Sequence, residues 1–489
     1  MSHDRRTDIE GVSVSELHFI NGKRVDSPSS FEDRSPLDWR WKLADVARGT
    51  SREADLAMRA ATEAFAEWSS LTVELRGEFL NRLADLIDAN IDPLAHVECR
   101  DMGMLHESLR LRVIARGARN FRAYADLAAG YGPRRWNSNG TANSVLRMPA
   151  GPTVVITPWN APFMLSTWKC APALAAGNTV VLKPAEWSPL SCSLLMDLVA
   201  EAEFPPGVFN LVQGFGQEAG SALVRDPRAR RISFTGSPET GRFIGVAAAQ
   251  NLVPFTAELG GKGPFLVFED ADLEAAAQKA AVMFDDAGQV CLAGTRLLVA
   301  DSVREQFVDR LQHHTNRHVL GDSRDSATTI SPMIHPDHLA RVDDFVTRAR
   351  AAGDTVRFGG RVAQTDGLWY EPTLIEPHSN DAEVVQSEIF GPVLTLQSFG
   401  TEDEAVDLAN STAYGLSAIA YTSSAKRAER LGNALRAGTI WINTFLVRDL
   451  TAPFGGTGIS GIGREGGDYA LDFYSDLKTL QIKEGSVDG

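Results

Sequence analysis

From Thr153 onward the chain alternates short β-rich runs with helical ones, and that alternation narrows the possible folds more than any other feature. "TVVIT", "NTVVLK", "VFNLV", "RRISFTG" and "VPFTAEL" are separated by "SPLSCSLLMDLVAEA", "QEAGSALVRD" and "SPETGRFIGVAAA". Strands joined through helices cross over and pair in parallel, with the helices covering the sheet. A second series follows, "PFLVF", "TRLLVA", "PVLTLQSF", "LSAIAYT" and "GTIWIN", again with helical segments between. The expected fold class is α/β, with two parallel-sheet domains joined near Leu259-Gly260-Gly261.

Upstream the period changes. Leu56, Ala60, Ala64 and Trp68 recur every fourth residue, and Leu75, Phe79, Leu83 and Leu86 repeat the pattern. These predict amphipathic helices over 52–68 and 75–89. A third helix is expected over 109–129, stopped by "GYGP". No solenoid repeat or low-complexity linker interrupts the 489 residues, a length suited to about two to three domains.

The formal charge of −15, from 48 Lys+Arg against 63 Asp+Glu, argues against nonspecific nucleic-acid binding, which needs clustered cations. Four cysteines (Cys99, Cys170, Cys192, Cys291) show neither C-x-x-C nor zinc-like Cys/His spacing, so no disulfide framework and no metal site is expected. The N-terminal stretch lacks a secretory apolar core, and no run of ~18 apolar residues occurs, which reads as a cytoplasmic protein without a membrane anchor.

Several short motifs sit where strands end. "FTGSPETG" opens a helix with Ser237 and Pro238; it suits a phosphate, and an N-cap followed by the first helical residue is the plainer reading. "VVLKPAE" leaves Lys183 and Glu186 beyond a strand, where open parallel sheets gather ligands; a solvated strand end is the plainer reading. "ITPWNAPF" puts Asn160 between two prolines, as an oxyanion donor or a turn residue. "AELGGK" puts Glu258 before two glycines, where partial burial would raise its pKa and suit it as a base. "FDDAGQVCLAGTR" holds Cys291, a lone cysteine that is either a thiolate nucleophile or a small buried hydrophobe. Nucleophile, oxyanion donor, base and cofactor cradle together make one complete mechanism.

In this order and spacing, "TPWN", "KPAE", "FTGS", "ELGGK", "GQVC", "EIFGP" and "PFGG" resemble the aldehyde dehydrogenase superfamily over nearly the whole chain. The resemblance implies two Rossmann-like domains, with the NAD-binding one formed by residues 1–124 and 148–258 and the catalytic one by 259–450. It also implies a small β oligomerisation element from 125–147 and 468–484, and hence a homodimer or homotetramer. Cys291 would attack the aldehyde, with the Asn160 side chain and the Cys291 backbone N–H holding the oxyanion. Glu258 would activate water against the resulting thioester. Lys183 and Glu186 would contact the adenosine ribose, Ser237 the pyrophosphate, and Glu388 with Phe390 the nicotinamide ribose. Thr157, Pro158, Trp159, Phe234, Gly236 and Gly260 complete the implied cofactor contacts. Glu186 favours NAD by repelling a 2′-phosphate, while Lys183 leaves NADP open.

Two positions depart from the family pattern. Asp286 stands where asparagine is common and reads as a packing substitution pointing away from Cys291, and Gly263 replaces a small polar residue. "VRDL" before "PFGG", "ARGARNF" and the ending "GIGREGGDYALDFYSDLKT" resemble the branch that oxidises muconate-type semialdehydes. That resemblance implies a carboxylated substrate bound by Arg116 and Arg448, rather than structural pairs such as Arg448 with Asp449. Trp159, Phe163 and Trp168 are expected to line an apolar passage to Cys291. The alternatives are a dehydrogenase for uncharged aldehydes, a CoA-acylating enzyme, and a silent binding or structural homologue.

Overall fold

The computed structural model describes residues 4–484. Each predicted β-rich run after Thr153 forms a strand. Thr153–Ile156, Val180–Lys183, Phe209–Leu211, Arg231–Thr235 and Phe255–Glu258 lie parallel at the centre of an eight-stranded sheet. Antiparallel edges close it, with Gly461–Ile462 on one side and the hairpin His18–Ile20/Lys23–Val25 on the other. The central strands are buried along their length, as a sheet covered on both faces requires.

The chain leaves this sheet after Glu258 and re-enters structure at Pro264, the first residue of a strand in a seven-stranded sheet. That sheet runs Thr355–Phe358, Thr373–Glu376, Val393–Phe399, Arg296–Ala300, Pro264–Val267, Ser417–Tyr421, Thr439–Ile442, parallel except at the first pair. The first two of these strands were not legible in the sequence. Thr355–Phe358 is a four-residue edge strand without a buried face, and Thr373–Glu376 is a short strand amid turn residues.

The helices Ser51–Ser70 and Val73–Ala89 match their predicted spans; Ala60, Trp68 and Leu83 of the predicted stripes are buried, and the buried faces extend to one side of those stripes. Ala54, Ala57, Met58, Ala61 and Trp68 are buried on the first, and Leu80, Leu83, Ala84 and Ile87 on the second, while Leu75 is exposed. The third expected helix is two pieces, a π-helical turn Leu109–Ile114 and an α-helix Ala115–Gly130. A further helix, Ile91–Met102, went unpredicted because its buried face includes Glu98, Arg100 and Asp101 and so breaks the apolar pattern.

"SVLRMP" lies in Thr141–Pro149, which pairs over its full length with Ser475–Lys483 and on its other side with Arg134–Ser138. Asn178 ties this three-stranded arm to the large sheet. Its Oδ1 accepts from the Ala150 and Gly151 N–H groups at 2.7 and 2.8 Å, and its Nδ2 donates to the Tyr474 carbonyl at 2.7 Å. Asn178→Ala would strand three buried backbone groups. A loss of about 2–4 kcal/mol is expected, read as a lower denaturation midpoint at unchanged denaturant slope.

Candidate active site

Register brings the strand-end motifs to one edge. Ile156 pairs with Lys183 on one side and Phe234 on the other, and Thr235 pairs with Glu258. Thr157, Lys183, Gly236 and Glu258 therefore sit at neighbouring carboxyl ends, the position where open parallel sheets bind ligands. Lys183 is buried, and its Nζ donates to Glu186 Oε2 at 3.2 Å and to the Pro184 carbonyl at 2.9 Å. Ser237 caps the helix Pro238–Gln250, accepting from the Thr240 N–H at 3.2 Å, and Pro238 takes the first helical position. The plainer reading of that motif is thus realised, and the exposed helix start remains available to an anion.

Beyond Glu258 the crossover to the second sheet passes close under two other segments. A Cβ on Gly261 would lie 2.5 Å from the Cys291 carbonyl oxygen, and one on Gly260 would collide with the Glu388 carboxylate. Glu388 Oε1 instead accepts from the Gly261 N–H at 2.8 Å. Burial pushes the Glu388 carboxyl up to about 7. Phe390 adopts the left-handed region (φ 59°), uncommon for a bulky residue. His338, by a 2.8 Å contact of Nε2 with the Phe390 carbonyl, and Arg341, which donates to the carbonyls of Ile389 and Glu388, hold this segment.

Cys291 lies on a loop shaped by consecutive positive φ angles at Ala287 and Gly288. The Gln289 N–H donates to the Asp286 carbonyl at 3.0 Å, and its buried side chain donates to Pro332 and accepts from the Ile334 N–H. Asn160 Nδ2 donates to the Gln289 carbonyl at 2.8 Å, which places the amide beside the cysteine. Cys99, Cys170 and Cys192 are fully buried, whereas Cys291 is only partly so.

Cys291, Asn160 and Glu258 line one cavity of about 510 Å³, together with Trp168, Arg116 and Arg448. Both carboxylate oxygens of Glu258 are buried without a hydrogen-bond partner. Burial, then the charge of Glu465, raises its pKa, while Lys169, Arg448 and Arg464 pull the other way. Burial, then Glu388 and Glu258, pushes the Cys291 thiol up to about 12, and Arg448 opposes them.

Arg116 and Arg448 both sit over the Trp168 ring, at 5.3 and 5.5 Å, and Arg448 lies 3.7 Å over Phe454. Among the described residues neither has a carboxylate within ion-pair distance. Asp449 bonds Thr451 instead, so the neighbour pair Arg448–Asp449 is not made. Burial, then Arg448 and Arg119, lowers the Arg116 pKa to about 10, and its Nε has no partner.

Of the expected aromatic passage only Trp168 lines the cavity. Phe163 is fully buried against Gly117, and Trp159 packs on Phe390, Trp187 and His338. Asp286 is among the residues lining the cavity, yet the Cys291 thiol is governed by burial, Glu388, Glu258 and Arg448 and not by Asp286, as expected of a carboxylate that does not act on the thiol. Sequence reasoning missed Glu465 and Lys169. Lys169 Nζ pairs with Glu465 Oε1, and Trp168 Nε1 donates to Glu465 Oε2 at 2.7 Å. They are far apart in sequence, and their one signal is two charged residues in otherwise apolar or glycine-rich stretches.

Among the described residues no helix is long and apolar enough to cross a membrane, and no cluster of His, Cys, Asp and Glu suits a metal ion.

Residues 24–480 match the model of the aldehyde dehydrogenase family. The chain is 40% identical over 482 residues to 2-hydroxymuconic semialdehyde dehydrogenase of Pseudomonas sp. (strain CF600), covering 95% of this chain and 99% of that protein. HpcC from Thermus thermophilus superposes with a TM-score of 0.94 at 43% identity, covering 97% and 94% of the two chains. Betaine aldehyde dehydrogenase from Staphylococcus aureus, solved with NAD+, gives a TM-score of 0.94 at 35% identity, covering 97% and 96%.

The cavity charges predict the thiol's behaviour. Alkylation by iodoacetamide should modify Cys291 first, with a rate still climbing above about pH 9 because the thiolate is disfavoured in the free protein. Arg448→Gln should slow it further and Glu258→Gln should quicken it, as followed by peptide mass spectrometry.

Proposed function

The chain belongs to the aldehyde dehydrogenase family, and from that premise we propose an NAD-dependent oxidation of a carboxylated, muconate-type semialdehyde to the dicarboxylic acid. The observation that carries the substrate class is the pair Arg116 and Arg448. Two half-buried guanidiniums lie over one indole and repel each other, in the cavity that holds Cys291, and among the described residues neither has a carboxylate within ion-pair distance. Buried charges ordinarily come paired, and a planar guanidinium can grip both oxygens of a carboxylate. The substrate carboxylate supplies the missing anion and brings its aldehyde end toward Cys291.

Cys291 Sγ bonds to the aldehyde carbon, and the oxyanion is held by the Asn160 amide and the Cys291 N–H. NAD, when bound, takes up the hydride. Its residues in this chain are Thr157, Pro158 and Trp159, then Lys183 and Glu186 for the adenosine ribose, Phe234, Gly236 and Ser237 at the helix start, and Gly260, Glu388 and Phe390 near the nicotinamide. The fit rests on the strand-end cradle, the carboxylate of Glu186 and the close backbone at Gly260. The thioester left on Cys291 is hydrolysed by water that gives its proton to Glu258, whose raised pKa suits it to that exchange.

In this reading residues 1–124 and 148–258, of which 1–3 lie outside the described residues, make up the cofactor domain, 259–450 the catalytic domain, and 125–147 with 468–484 the oligomerisation arm. Leu477, Leu480 and Trp136 are exposed on that arm, which suits pairing in a homodimer or homotetramer. The setting is the cytoplasm.

NADH formation from 2-hydroxymuconate semialdehyde set beside benzaldehyde tests the substrate class. The wild type should prefer the carboxylated aldehyde strongly. Arg448→Ala should lose ~1.5–3 kcal/mol of that preference, about 10–150-fold in kcat/KM, and an indifferent mutant would refute the assignment. Glu258→Gln should still release one burst of NADH per active site but lose steady turnover, measured by rapid mixing.

A further inference from the structure

Three acids line the Cys291 cavity: Glu258, Glu465 and Asp286. Glu258 stands by the thiol, and Glu465 is spent on Lys169 and Trp168. Asp286 alone has no evident task. Its Oδ1 is buried without a hydrogen-bond partner. Its backbone carbonyl accepts from the Gln289 N–H, and the next two residues hold positive φ. Burial raises its pKa and the Arg112 guanidinium lowers it. Arg112 itself donates to Ser108 Oγ, and Asp285, the neighbouring acid, faces Lys279 and Arg112 as well as Asp286.

A buried acceptor left unpaired costs ~1–3 kcal/mol, and a ligand that supplies the donor recovers it. The cavity walls select which donor. Ser108, Arg112, Arg116 and Arg119 line it from consecutive turns of the helical segment 106–130, and Arg448 and Arg116 both lie over the Trp168 ring. Four guanidiniums disfavour an ammonium group, while Asp286 repels a second carboxylate. A neutral hydroxyl satisfies both constraints.

Resting on the proposed reading of Cys291 and the arginine pair, we infer that Asp286 is a specificity-determining residue whose carboxylate accepts a hydrogen bond from a hydroxyl on the substrate. It distinguishes hydroxylated carboxy-aldehydes from their plain counterparts. It touches substrate and takes no part in bond making.

The test compares adipic semialdehyde with its monohydroxylated isomers, read as the ratio of their kcat/KM values. The wild type should favour at least one hydroxylated isomer by about tenfold or more. Asp286→Ala should bring that ratio close to one, and Asp286→Asn, whose amide oxygen still accepts, should retain part of it. Calorimetric binding of adipate and the matching hydroxyadipates to the same proteins gives the comparison without turnover and should show the same change. A wild-type ratio near one for every isomer, or a ratio that Asp286→Ala leaves untouched, would overturn the inference. If adipic semialdehyde and its isomers are not oxidised while benzaldehyde is, the carboxylate reading fails by itself. Hydroxybenzaldehydes set against benzaldehyde then decide the role of Asp286 separately.

Discussion

The two sheets meet through a stretch of backbone that tolerates no side chain. The crossover from Glu258 to Pro264 passes so near the Cys291 carbonyl and the Glu388 carboxylate that any Cβ at Gly260 or Gly261 would displace one of them. Glycine allows this close approach because nothing projects from its Cα. Everything in the site is referred to that contact. It puts the strand-end acid Glu258, the loop cysteine and the Glu388–Phe390 segment around one point, although each belongs to a different element.

The second organising fact is the cost of charge away from water. The cavity holds Glu258 with both oxygens unpartnered, two arginines over one indole, and Asp286 with an unpartnered oxygen. Left alone, each destabilises the free protein by desolvation. Lys169 and Glu465 show the contrasting case, a buried pair that satisfies itself and anchors Trp168 through the indole N–H. Unpartnered buried charges also occur outside the cavity, at Asp101 and Lys262 for example, so it is the company of Cys291 that marks Glu258 and the arginine pair as candidates for chemistry.

Elements with a strong local period were legible in the sequence. The runs around Val154, Val181 and Leu266 are continuous and apolar because their strands are buried on both faces, and their shortness and β-branched residues read as strand. Elements whose pattern is set by neighbours were not. The helix Ile91–Met102 buries Glu98 and Asp101, and the extra residue in the π-helical turn at Leu109–Ile114 leaves no periodic mark. The same division runs through the site. Cys291, Glu258 and Asn160 were nominated by their motifs, whereas Phe163 proved to be core and Asp286 proved to be among the cavity-lining residues.

The sequence by itself determined the two-sheet α/β plan, the order of the motifs along the chain, and which residues are candidates for nucleophilic, basic and anion-binding roles. Those follow from side-chain periodicity and functional-group identity, which are local properties. Only the tertiary structure decided which of these groups share a cavity, which charges find partners and which do not. Partnering depends on distances between residues hundreds of positions apart, such as Lys169 and Glu465 or Asn178 and Tyr474. Such distances are set by packing, and no short stretch of sequence encodes them.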